Sequence, residues 1–317
     1  MNARDTLAAL SVAVAWGLNF IAIKVGVGET SPLMLAALRF LFAALPLALL
    51  VAPPKAPAWA VTLYGLLIGA GQFGLLFVAM HQGLSVGLAS LVIQAQAFFT
   101  ILFAFIFLGE RPERRQIVGA GFGFAGIAVI ASERVGGASL SPVLLAVLAC
   151  MFWGLGNVLA KSFGRINALA LVAWSSLAAP LPLFALSLAV EGTGGLRALA
   201  HPSWALIASV LMISYVGTVF GYAVWAWLLA RHPAATVAPF ALLVPVVGII
   251  AGATAFGETL TPRELLGGAL VMAGLAFNVF GDWAIRRVAG PRRTAPQAPG
   301  ALTDSSAETS PRRASGG

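Results

Sequence analysis

"WGLNFIAIK", Trp16 to Lys24, returns with small changes as "WGLGNVLAK", Trp153 to Lys161, 137 residues further on. A second pair of stretches echo each other, "GERPERRQIVGAGFGFAG" from Gly109 and "GETLTPRELLGGALVMAG" from Gly257. There Glu110 and Glu258, Gly119 and Gly267, and Gly126 and Gly274 all stand 148 residues apart. The chain therefore repeats itself. The eleven residues by which the spacing grows fit the longer loop around "EGTGGLRALAHP".

The apolar runs between these marks define the repeated unit. Of the 317 residues, 60% are hydrophobic and 9% charged, far below the roughly 25% charged content of an ordinary soluble domain. Segments long enough to cross a bilayer alternate with turn signals such as "APPKAP", "GERPERR" and "GETLTP". They predict ten spans. The first five are Thr6–Val27, Pro32–Val51, Ala58–Met80, Ser85–Leu108 and Arg115–Ser132. The other five are Ser141–Phe163, Ala168–Val190, Ser203–Leu229, Ala234–Phe256 and Arg263–Trp283. The first run continues unbroken to Val27, too long for a signal-peptide core, and reads as an uncleaved span.

Five spans per copy is an odd number, so the second copy enters the membrane from the opposite face. The expected fold is an all-α membrane protein of ten transmembrane helices in an inverted 5+5 repeat, with halves at residues 1–136 and 137–285. Residues 286–317, poor in apolar side chains, are expected to form a disordered tail.

A net charge of +8 would suggest nucleic acid in a soluble protein. Here the basic residues sit in short loops and in the tail, where they hold a membrane orientation rather than line a groove for phosphates. Alternating the loops places fourteen Arg and Lys on the N-terminal side and four on the other, with Arg39 inside a span. Both termini are expected to be cytoplasmic, in a multi-pass inner-membrane protein.

Two similar units packed in opposite senses can open a central site to either face, which is alternating access. A transporter is the expected class, with duplication kept for packing, or a lipid scramblase, as the alternatives. The residues offer little to an enzyme. "GLSVG", Gly83 to Gly87, fits GxSxG, but a nucleophile elbow needs a strand leading into a helix, and these residues lie between two predicted membrane helices. No Asp lies in mid-membrane, and no GxxxxGK[ST] motif is present. Three scattered His and the single Cys150 supply no metal-ligand set, so no cofactor is implied.

The paired "WGLNF" and "WGLGN", "PLMLAALRF", "GLASLVIQAQAFFTILFAFIFLGE", "LLVPVVGI" and the terminal "LAFNVFG" resemble the EamA family of the drug/metabolite transporter superfamily. Within it, the chain is most similar to bacterial O-acetylserine/cysteine exporters, efflux pumps for amino-acid metabolites. The likeness covers about residues 5–283. It implies ten helices, a cavity between two inverted halves, and export of small metabolites. A broader drug or metabolite carrier and a lipid-linked-sugar flippase are the alternatives.

Polar groups inside the spans are the candidates for substrate contact. Gln94 and Gln96 lie in an otherwise apolar run, where an unpaired amide costs roughly 4 to 8 kcal/mol on the strictest scale. Two positions apart on an α-helix means about 200° around the axis, so at most one is expected to line the cavity while the other joins neighbouring helices. Arg39 falls about 10 Å into its span, with snorkelling or bonding to helix-end carbonyls weighed against bidentate binding of a substrate carboxylate. Asn19 and Asn157 provide interior amides, and Tyr222 lies deeper than Trp225 and Trp227. Lys24 and Lys161, related by the repeat near opposite faces, are snorkelling residues or a pair of gates.

Glu110 and Glu258 are expected to cap the next helix or pair with arginine. Pro239 and Pro245 predict a bend or a freed carbonyl beside the cavity. Gly119, Gly123, Gly126, Gly248 and Gly252 predict close helix contacts, within the chain or across a homodimer. The expected partners are amino-acid metabolites and membrane lipid.

Overall fold

Each span begins and ends where its local chemistry dictates. The computed structural model describes residues 1–135, 139–164 and 166–289, with the backbone alone at 134, 135, 234, 235 and 282–289. Ten helices are long and apolar enough to cross a membrane. The first half supplies α1 (Ala3–Glu29), α2 (Pro32–Leu50), α3 (Ala58–His81), α4 (Val86–Leu108) and α5 (Arg114–Glu133). The second supplies α6 (Ser141–Ser162), α7 (Ala168–Glu191), α8 (Trp204–Arg231), α9 (Ala238–Phe256) and α10 (Pro262–Gly281). Among the described residues there is no strand.

Asn2 caps α1 by accepting from the Asp5 amide at 2.8 Å, and Ser203 caps α8 through the Leu206 amide at 3.0 Å. At α10 a reciprocal box closes the first turn, Thr261 and Glu264 each accepting the other's amide. Helices α4 and α9 both stop at a left-handed glycine, Gly109 at φ 67° and Gly257 at φ 64°. Residues 1–281 form one compact unit. A second unit, Asp282–Gly317, is described only as helical backbone to Ala289, which takes in the first four residues of the predicted tail. The rest of the predicted tail and the boundary between the halves, 136–138, lie outside the described residues.

The repeat is visible in irregularities as well as in spans. Helix α3 winds as a π-helix over Leu66–Gly74, and its counterpart α8 does so over Met212–Phe220. Helix α4 tightens to 3-10 winding at Ile93–Ala95, and its counterpart α9 at Ala238–Leu242. Such departures mark positions where backbone groups are redirected.

Glycines decide which helices touch most closely. A β-carbon on Gly17 would collide with the Val247 side chain and press on the Val244 carbonyl, so α1 lies directly on α9. At the repeat-equivalent Gly154 it would meet the backbone of Phe99 and Thr100, so α6 lies on α4 in the same manner. Along α5 and α10, Gly119 faces the carbonyl of Gly274, and Gly126 that of Gly267. Of the predicted glycines, Gly119 and Gly126 thus form a seam within the chain that joins the last helix of each half, while Gly123, Gly248 and Gly252 pack near Phe98, Ser90 and Val86 of α4.

Two outcomes follow. Gly126→Val should overpack the seam, costing about 1–3 kcal/mol and lowering the thermal midpoint in detergent by several degrees. In a Cys150→Ala background, single cysteines at the exposed Arg111 and Thr259 should label with an impermeant thiol reagent from opposite sides of the bilayer.

Candidate functional site

Lipid-facing helices cannot leave polar side chains unpaired, so the polar residues inside the spans converge. They meet around a cavity of about 350 Å³ walled by both halves. Asn19, Arg39, Gln94, Gln96, Asn157 and Tyr222 all line it. Lys24 and Lys161 are not part of its wall. The size falls at the low end of the roughly 300–1,000 Å³ range of small-molecule sites.

Both glutamines of "QAQ" contribute to the wall, against the expectation that at most one would. The 3-10 turn at Ile93–Ala95 is the cause, because at about 120° per residue it brings the two side chains nearer one another around the axis than α winding does. Gln96 is also tied to α6: its Oε1 accepts from Asn157 Nδ2 at 2.9 Å, and the same Nδ2 group donates to Thr100 Oγ1 at 3.0 Å. Gln94 reaches α9, donating weakly from Nε2 to the Ala241 carbonyl at 3.4 Å. Pro245, four residues beyond Ala241, has no N–H to offer that carbonyl, in line with the freed acceptor that the prolines predict.

Arg39 neither snorkels nor bonds a helix-end carbonyl. It is 2% exposed, and its guanidinium carbon lies 3.6 Å from the centroid of the Phe73 ring. Nε and Nη1 have no hydrogen-bond partner, and among the described residues no carboxylate pairs with it. A desolvated cation–π contact returns about 2 kcal/mol, whereas burying an ion costs several. The ring therefore does not compensate the charge. Arg39 also borders a second, smaller void of about 20 Å³ with Tyr64 and Tyr222, which has room for a single water.

Aromatic faces complete the wall. Trp16 stands 5.7 Å from Tyr222 and 5.2 Å from Trp225, ring centroid to centroid, and its Nε1 donates to the Gly217 carbonyl at 3.0 Å. Trp153, its counterpart in the repeat, lines the same space. Trp227 is not part of this wall; like Trp225 it packs on the small cluster of Ala9, Leu228 and Val237, and Arg231 lies over its ring at 4.2 Å.

The charged ends of the helices differ between the halves. Lys161 Nζ pairs with Glu110 at 2.6 Å, so the glutamate's partner is lysine rather than the expected arginine. Glu258, the counterpart of Glu110, accepts from the Val86 and Gly87 amides at 2.9 and 3.2 Å. It caps α4, not the next helix. Lys24 is half-buried and forms no ion pair or hydrogen bond among the described residues. His81 hydrogen-bonds the Val27 carbonyl at 2.9 Å, outside the cavity. Ser85 of "GLSVG" accepts from the Leu88 amide as a helix cap.

Sequence reading missed one wall residue of consequence, Gln72, buried in the π-wound part of α3. Its signal was available, an amide inside an apolar span, the criterion that singled out Gln94 and Gln96.

Ten apolar helices in two repeated halves around a central, partly polar cavity define a carrier of the membrane-spanning class. The chain belongs to the EamA-like transporter family, which matches residues 5–132 and 140–280, one stretch per half. Over 297 residues it is 43% identical to the "Probable amino-acid metabolite efflux pump" of Salmonella typhimurium, covering 91% of this chain and 99% of that one. Its identity to the protein of the same description from Escherichia coli is 40% over 288 residues, covering 89% and 96%. A crystal structure with 21% sequence identity shares the fold, with a TM-score of 0.60 over 92% of this chain and all of that one. The protein is a multi-pass transporter, not an enzyme.

The Gln96–Asn157 contact should register energetically. A double-mutant cycle of Gln96→Ala and Asn157→Ala, read by thermal unfolding in detergent, is expected to give a coupling of about 0.5–1.5 kcal/mol.

Proposed function

We propose that this protein exports small amino-acid metabolites, of the cysteine and O-acetylserine kind, across the inner membrane by alternating access of the central cavity. Both termini are cytoplasmic in this reading, and the halves divide near residue 136. One observation carries it: a buried guanidinium in the cavity wall, with unpartnered donors and no carboxylate to neutralise it. A substrate carboxylate fits that need, because the planar fork of arginine binds it through two parallel hydrogen bonds. The amides of Gln94, Gln96, Asn19 and Asn157 add neutral polar contacts, and Tyr222 borders the site beside Trp16. The described relatives point to the same class of substrate by name.

The ends of the helices support a gating role for the paired lysines. Lys161 lies one turn beyond Asn157 and is held by Glu110. Lys24 lies one residue beyond Ile23 in the wall, and its equivalent partner Glu258 is engaged elsewhere. One lock is made and the other open. Alternating access exchanges these states, each lysine neutralising its partner in one conformation only.

Uptake of labelled cysteine, O-acetylserine and a panel of related metabolites into inverted vesicles tests direction and substrate together. Wild-type vesicles are expected to accumulate at least one of these amino acids. Arg39→Met should weaken apparent affinity about tenfold to a hundredfold, the worth of hydrogen bonds to a charged group. The same variant removes an uncompensated buried charge, so its thermal midpoint should stay level or rise. Full transport by Arg39→Met, or a collapse of its midpoint, would put Arg39 among the structural residues.

A further inference from the structure

Gln72 is 1% exposed, lines the cavity, and has no hydrogen-bond partner at either Nε2 or Oε1. A glutamine that merely joins helices is bonded to its neighbour, as Gln96 is to Asn157. Gln72 is not. A buried amide with both ends unsatisfied is costly, and an occupant of the cavity it lines can supply the partners.

The chemistry of the surrounding groups specifies those partners. Arg39 offers donors only, two of them unpartnered, while Asn19, 6% exposed, has an unpartnered acceptor in Oδ1 that lies against Gly217. Gln72 presents one group of each kind. It adjoins the arginine's own platform, since Phe73, the next residue, carries the guanidinium on its ring. The residues that line the cavity include no Asp or Glu, so a cationic group entering it is received by amide oxygens and aromatic faces.

We propose that Gln72 reads the zwitterion: Nε2 donates to a substrate carboxylate held at Arg39, while Oε1 accepts from the neighbouring α-ammonium. The carrier then selects free α-amino acids over the same molecules lacking the carboxylate or carrying a blocked amine. This rests on the reading of the cavity as an amino-acid metabolite site. The π winding of Leu66–Gly74 is the local device that accommodates the amide in the wall of an otherwise apolar helix.

The test uses the full-length protein in inverted vesicles, with uptake of labelled cysteine competed by cysteamine, which lacks the carboxylate, and by N-acetylcysteine, which lacks the ammonium. Wild type should be inhibited by O-acetylserine and weakly by the other two. Gln72→Met, nearly the same shape, is expected to raise KM for cysteine on the order of tenfold with maximal rate retained, and to narrow the discrimination against N-acetylcysteine. Gln72→Glu, which adds a negative charge, should shift preference toward cysteamine, and a structural glutamine would produce no such change of ranking. If wild type moves cysteine and both variants keep its KM and its ranking of competitors, the role of Gln72 is overturned and the cavity reading stands. If wild-type vesicles take up no amino acid, the cavity reading itself falls, and this inference with it.

Discussion

Close helix contact comes where glycine takes the place of a larger side chain, as at Gly17 against α9 and at Gly154 against α4. Inside a bilayer apolar helices gain little from avoiding the solvent, since lipid tails are as apolar as leucine, and association rests on close contact and on hydrogen bonds. A glycine at the crossing lets backbones meet. Because each glycine follows a tryptophan, the same contact sets Trp16 and Trp153 into the cavity wall. Asn19 and Asn157, three and four residues beyond these tryptophans, join them there. The "WG" repeat thus couples the packing of two helix pairs to the geometry of the site between them. The α5–α10 seam, glycine against carbonyl on both sides, completes the scaffold.

Against that regular scaffold the site breaks rules. It holds a cation without a counter-ion, an amide with no partner, and backbone that leaves α geometry on four helices. Each feature is unfavourable by itself, an unsatisfied buried polar group by about 1–3 kcal/mol. Arg39 and Gln72 meet at the cavity wall, while Thr30, Ser214 and Asn278, also unpaired, lie outside it. Unmet polar groups that share a cavity point to a functional site there, because a ligand can restore the missing contacts.

The sequence carried the scaffold openly. Ten apolar runs, an odd number per copy and matching glycines are properties of composition and spacing, and tertiary context does not alter them. Much of the wall was legible for one physical reason: a polar side chain inside lipid must face protein, water or solute, so Asn19, Arg39, Gln94, Gln96 and Asn157 stood out from their neighbours. The winding was not legible. Nothing in "VIQAQ" announces a 3-10 turn, and the α-helical angle between its glutamines misplaced one of them. Gln72 sits in "LLIGAGQFG", where nothing in the local pattern announces π winding and where Gly71 packs on Phe152 of a distant helix. The partners of the glutamates were equally hidden, since Glu258 reaches amides 172 and 171 residues away.

Symmetry in the scaffold contrasts with asymmetry in the chemistry. Gln94 and Gln96 correspond, at the repeat spacing of 148, to Leu242 and Val244, and α7 has no arginine to match Arg39. Val244 lines the cavity opposite in kind to Gln96. The first half therefore supplies the cation and most of the amides, and the second adds Val244, Ala241, Trp225 and Tyr222. A duplicated frame gives two equivalent ways of opening, which requires the halves to stay alike where they touch. A binding site has the opposite requirement. A small solute with a charged end and an apolar end has no two-fold symmetry, so a wall that recognised it from both halves equally would fit neither end. Retained likeness at the glycines and lost likeness at the wall are what a carrier of such a solute needs.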